Sequence, residues 1–170
     1  MGANYEAGDF DRAVAVVGAE PSPQKLVERL GLDWEQLTRL ALDAAATVLA
    51  TERLRDGGAV AYGREAFTGG FLIGLHLPPE RPDVSTARLA AAVDAVQARG
   101  RHAVIADHCD LAAVARLETV YADALVESMP LDEAERDPLR LPVTRIFEAG
   151  LAVGLELGSG GAGEDDSVEL

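Results

Sequence analysis

Asp107-His108-Cys109-Asp110 sets four metal-capable side chains in a row, with His102 six residues before His108. A tetrahedral zinc site needs a second Cys/His pair to close around the ion, and none follows. Phosphohydrolases of the His-Asp kind need further histidines, and this chain has three in all. A helix cap at Asp110 and a buried thiol at Cys109 account for the same residues without a ligand, so no metal is expected. The 107–110 loop stays as the place where a small enzyme or ligand-binding domain would work, an alternative to the main reading.

Carboxylates offer a second chemistry. Helical folds hold magnesium or iron with Glu-x-x-Glu or Glu-x-x-His pairs on facing helices. The dense cluster here, Asp132-Glu-Ala-Glu135, follows Pro130 and reads as a helix start. No nucleophile elbow, phosphate loop or dinucleotide fingerprint occurs. Catalysis is not indicated, and no cofactor is expected.

Recognition is the remaining chemistry, and the chain states its best motif twice. Phe67-Thr-Gly-Gly70-Phe71-Leu-Ile73-Gly74-Leu75-His-Leu77 returns eighty positions later as Phe147-Glu-Ala-Gly150-Leu151-Ala-Val153-Gly154-Leu155-Glu-Leu157, with five of eleven positions identical. As helices, both segments carry Gly-xxx-Gly on one face, at Gly70/Gly74 and Gly150/Gly154. Two missing side chains one turn apart let another backbone come close, which is what compensates the roughly 1 kcal/mol that an interior helical glycine costs relative to alanine. Phe67, Gly70, Gly74, Phe147, Gly150 and Gly154 are therefore the candidate site. They form either a crossing inside one core or an interface between subunits.

Residues 22–40 carry a second recognition pattern, a helix-turn-helix with Leu26, Leu30, Leu32, Leu37 and Leu40 around Gly31. The small residue expected early in its first helix is Val27. Its reading helix would present Trp34, Glu35 and Gln36, with Arg39 as the nearby cation. A plain helical hairpin fits better, and a DNA-binding regulator is kept as an alternative.

These motifs need helices to hold them. Leu32-Asp33-Trp-Glu-Gln36-Leu37 has an Asp cap, a Gln three residues on and a Leu32/Leu37 staple. The helix it opens is expected to run through Arg55 to a stop at Gly57-Gly58. Ser22-Pro23 starts a short helix before it, Ser85 to Arg99 is a capped helix ending at Gly100, and Asp110 to Met129 is another. Arg12 to Val17 reads equally as short helix or strand. The stripe Val114, Leu117, Tyr121, Ala124 aligns with Trp34, Leu37, Ala41, Ala44 at the eighty-residue offset, though weakly. Together these predict an all-α, compact helical domain over 1–157 with an internally duplicated helix pair, then a flexible Gly-rich acidic tail over 158–170. The alternative is an α/β fold with strands near 71–77, 103–107 and 151–157.

Composition narrows the partners. Twenty-nine acids against fifteen bases give a net charge of −14. Such a surface repels phosphate backbones and anionic lipid, which argues against nucleic acid and favours a basic protein partner. An acidic mimic of nucleic acid is disfavoured, because the acids bunch at 132–137 and 164–169 instead of keeping a phosphate-like spacing. Cys109 is the lone cysteine and no apolar run is long enough to span a bilayer. The sequence thus reads as a non-catalytic, cytoplasmic protein-protein interaction or assembly protein, expected to form a homo-oligomer and to bind no membrane.

Overall fold

Helices make up every regular element among the residues described. The structure is a computed structural model covering residues 4–51, 57–80 and 84–159, with backbone alone for residues 51 and 57–59. In chain order the elements are α1 (Ala7–Ala19), α2 (Pro23–Arg29), α3 (Trp34–Thr51), α4 (Gly57–Leu75), α5 (Thr86–Arg99), α6 (Arg101–His108), α7 (Leu111–Glu127), α8 (Glu133–Arg136), a 3-10 turn (Asp137–Leu139) and α9 (Arg140–Gly158). One isolated bridge, Tyr5 with Cys109, ties the start of the chain to the α6–α7 corner. No described helix is long and apolar enough to cross a membrane.

The fold is all-α, and the α/β alternative is not realised. Phe71, Leu72, Ile73 and Leu75 are all buried, as are Leu151, Ala152, Val153 and Leu155. A strand with one wet face would alternate; a helix enclosed by its neighbours is apolar all round. Residues 103–107 lie inside α6, which buries the adjacent pair Val104 and Ile105 and exposes Ala103 and Ala106. Arg12 to Val17 belongs to α1.

Two local expectations fail. Gly57 and Gly58 do not stop a helix, since both lie in α4; the expected run of α3 through Arg55 lies outside the described residues. Asp33 does accept from the Glu35 amide at 3.0 Å, and Leu32 and Leu37 are both buried. Gln36, however, does not complete a capping box, since its Oε1 is buried without a hydrogen-bond partner. Serine caps behave as the sequence predicts: Ser22 Oγ accepts from Lys25 N at 3.3 Å and Ser85 Oγ from Arg88 N at 3.2 Å. Ser85→Ala should therefore lower unfolding stability by about 1 kcal/mol in urea titration.

Duplication extends over the whole set of helices. Phe10, Ala13 and Val17 of α1 precede Leu89, Ala92 and Val96 of α5 by seventy-nine positions. Leu26 and Val27 of α2 precede Val104 and Ile105 of α6 by seventy-eight, and Leu37, Ala45 and Leu49 of α3 precede Val114, Ala122 and Val126 of α7 by seventy-seven. The offset returns to eighty for α4 and α9. Three residues are gained between α7 and α9, in the connection that carries α8 and the 3-10 turn. The eighty-residue alignment of α3 with α7 is thus slipped by three. A three-residue slip rotates a helix face by only about 60°, so in alanine-rich helices the wrong register still looks amphipathic. Four helices, used twice, make the domain.

At its centre α4 and α9 lie side by side and parallel, with positions 67, 71 and 75 rising along 147, 151 and 155. Helix α3 packs on α4 and α7 on α9, while α3 also reaches α9 and α7 also reaches α4. Helices α5 and α6 cover α9, and α1 covers α4 and touches α7.

Candidate functional site

The six residues singled out in the sequence come together where α4 crosses α9. A Cβ placed on Gly74 would stand 2.6 Å from the Leu151 carbonyl oxygen and 2.9 Å from the Leu155 nitrogen. On Gly154 it would collide with the Phe71 carbonyl and stand 2.9 Å from the Leu75 nitrogen. Gly70 lies against the carbonyl of Phe147 and Gly150 against that of Phe67, so each of these four glycines faces a backbone carbonyl of the other helix. Phe67 and Phe147 are buried. These faces meet within one chain. They are covered, and an interface between subunits has to be sought elsewhere.

Tyr121 of α7 braces the crossing from one side. Its ring lies against Phe147 with centroids 4.6 Å apart, its hydroxyl donates to the Glu65 carbonyl at 3.1 Å, and it fills the space that a side chain on Gly69 would need. Burial, then the nearby Glu65, pushes its hydroxyl up to about 12, so it stays a neutral donor.

Beyond Tyr121 opens a cleft of about 670 Å³ between α1, the start of α2, α3, α4 and α7. Its walls are apolar: Val14 and Val17 from α1, Trp34 from α3, Leu72 and Ile73 from α4, Leu117 and Val120 from α7. Polar groups are few, with buried Thr68 on the floor and Gln24, Arg64 and Glu65 at the edges. At the mouth, Val14 is 40 % exposed and Val120 is 65 % exposed. The cleft volume falls in the range that binding pockets use. The sequence reading missed it, because it is assembled from five elements that no local motif links.

The matching place in the second repeat is filled differently. Ser22-Pro23-Gln24 corresponds to Gly100-Arg101-His102, and Thr68 to Glu148. Arg101 Nε donates to Glu148 Oε1 at 3.1 Å, and His102 Nε2 lies 3.2 Å from the same oxygen. Glu118 of α7, at the position Ala41 holds in α3, hydrogen-bonds the Glu148 carboxyl. Burial, then that bond and the Glu148 charge, lifts Glu118 to about 8. Burial also raises Glu148, but hydrogen bonds from Glu118, Arg101 and His102 outweigh it and leave its carboxyl below the usual range. A signal for Glu118 was present: it interrupts the buried stripe Val114, Ala122, Val126 at i, i+8, i+12.

The 107–110 loop shows no shared site. Asp107 pairs with Arg99, and the backbones of His108 and Asp110 hold Tyr5 at 2.7 and 2.8 Å. Burial pushes the Cys109 thiol up to about 12 and lowers the His108 imidazole, making both poor at carrying charge. Asp110 stands at the α7 N-cap without a side-chain capping bond, contrary to the sequence expectation. Among the described residues no cluster of three or more His, Cys, Asp or Glu is set to hold a metal ion.

The hairpin of α2 and α3 turns at Gly31, whose φ of 84° suits glycine. From α3 the charged groups exposed to solvent are Glu35, Arg39 and Asp43, one cation between two acids. No family model, curated protein or solved structure matches the chain.

Proposed function

We propose that this chain is a non-catalytic protein-binding module, and that the cleft of the first repeat receives the apolar face of a basic amphipathic helix from a partner. The observation carrying this reading is the open apolar cleft whose lining includes the exposed Val14 of α1 and Val120 of α7. A helix laid along the cleft would cover both valines. The net charge of −14 supports a basic partner and steers its approach. A second copy of the chain would bring the same negative charge, and the glycine faces are already used, so self-association is the weaker reading. The buried lone thiol is compatible with the cytoplasmic setting expected from the sequence.

Trp34 is the sole tryptophan and lines the cleft, so its emission reports occupancy directly. A displayed library of random helical peptides should yield binders with apolar residues at i, i+3 or i+4 and i+7, flanked by Lys or Arg. Their titration should shift Trp34 emission, and Val120→Asp should weaken them by about tenfold or more, equivalent to about 1.4 kcal/mol. Binders that ignore Val120→Asp and leave Trp34 emission unchanged would refute the cleft as the site.

A further inference from the structure

We infer that Thr68 is a specificity-determining residue of the cleft: its hydroxyl selects a partner helix whose apolar face is broken near its middle by one neutral hydrogen-bonding side chain, Ser, Thr, Asn or Gln. This selection rests on the binding role proposed above and adds what the partner must carry.

Among the described residues Thr68 is the one polar side chain in the buried core, with 6 % of its surface exposed. Threonine in a helix commonly turns its hydroxyl onto the carbonyl four residues back. Thr47, Thr119 and Thr144 do so here, at 2.8, 3.0 and 2.9 Å. The Thr68 hydroxyl makes no hydrogen bond within the described chain. Its oxygen is not sealed off, as Gln36 Oε1 and Thr38 Oγ1 are. It therefore opens on the cleft whose floor Thr68 forms.

The second repeat satisfies the same position from within. Glu148 stands where Thr68 does, and it accepts from Arg101 Nε at 3.1 Å with His102 Nε2 3.2 Å away. Pro23 and Gln24 occupy those two places in the first repeat. Proline brings no side-chain donor, and Gln24 Nε2 is turned to Glu28 Oε2 at 3.3 Å. One repeat closes its polar floor on itself. The other leaves it to whatever fills the cleft.

Solvent serves the hydroxyl while the cleft is open. A wholly apolar partner strips that solvent and buries the group unpaired, at a cost of about tenfold or more in affinity. A charged group loses still more on entering walls made by Val14, Val17, Leu72 and Leu117. A neutral amide or hydroxyl avoids both penalties. Its place on the partner follows from α4. Arg64 and Ile73, the first and last α4 residues along the cleft, are about 14 Å apart on the helix axis, and Thr68 lies near the midpoint. A single polar residue in an apolar seam also fixes the register of two helices.

Parallel selection of the displayed helical library on the full-length parent and on Thr68→Val, which keeps the shape and removes the hydroxyl, tests this. Parent binders should carry Ser, Thr, Asn or Gln at one position of the apolar stripe, and Thr68→Val binders an aliphatic residue there. Thr68→Val should weaken a parent-selected peptide by about tenfold or more, and an aliphatic replacement in the peptide should restore its affinity for the variant. Thr68→Ser, which keeps the hydroxyl, should keep the preference. Without any peptide, Thr68→Val should melt at or above the parent's midpoint, since no bond within the fold is lost. A clear fall in that midpoint would overturn the selection, because the hydroxyl would then be serving the fold. Parent binders with an unbroken apolar stripe, bound as tightly by Thr68→Val, would overturn it while leaving the cleft as the binding site. A library yielding no binder that shifts Trp34 emission would refute the binding role itself, and the selection with it.

Discussion

Gly154→Val is expected to unfold the domain or to lower its thermal midpoint by far more than an ordinary core substitution. The added side chain meets backbone, with the Phe71 carbonyl and the Leu75 nitrogen in its way, so no rotamer change can accommodate it. Overpacking of side chains typically costs about 1–3 kcal/mol; separating two helices along their crossing should exceed about 3 kcal/mol, a large part of a domain's stability. Gly74→Val should match it, because Leu151 O and Leu155 N stand at the equivalent places. Gly70→Val and Gly150→Val form a second matched pair. Gly8, by contrast, has nothing within 4 Å of its Cβ position. In the helix α1 Gly8→Ala should gain about 0.5–1 kcal/mol. Thermal and urea melts of these five variants decide the matter; glycine variants that melt like the parent would place α4 and α9 apart.

Tyr121→Ala is expected to have the next largest effect. It removes a ring that lies against Phe147 and covers Gly69, leaving a cavity beside the crossing. Truncation of an aromatic side chain in a core costs about 3–5 kcal/mol, and this partly exposed position should lose about 2–4 kcal/mol. Tyr121→Phe keeps the ring and deletes only the bond to the Glu65 carbonyl, so it should cost about 0.5–1.5 kcal/mol. The ratio of the two losses separates packing from hydrogen bonding. Equal losses would mean that the hydroxyl, not the ring, fixes α7.

What the sequence made legible follows from how local each signal is. The Gly70/Gly74 and Gly150/Gly154 pairs could be read because four-residue spacing on a helix is a local property, and the repetition removed chance. Ser22 and Ser85 could be read for the same reason. The extent of the duplication could not, since α1, α2 and α3 share apolar character with α5, α6 and α7 at offsets that drift from seventy-nine to seventy-seven. Gly57-Gly58 misled because glycine commonly ends helices, whereas here both residues lie within α4. The cleft was invisible from sequence: Val14, Trp34, Leu72 and Leu117 come from four helices, and only the folded chain brings them into one wall. Glu118 was overlooked because a carboxylate reads as a solvated residue until its neighbours on the stripe are known to be buried.

The most direct test of the central claim is acrylamide quenching of Trp34 with and without a saturating basic amphipathic helical peptide taken from the displayed library. Trp34 is the single indole and lies in the wall of the cleft, so the signal has one source. Binding in the cleft predicts that the peptide shields Trp34, with a quenching constant reduced by about twofold or more, and that Val120→Asp needs about tenfold or more peptide to reach the same shielding. A peptide that binds the parent and leaves Trp34 as open to acrylamide as before would contradict the account.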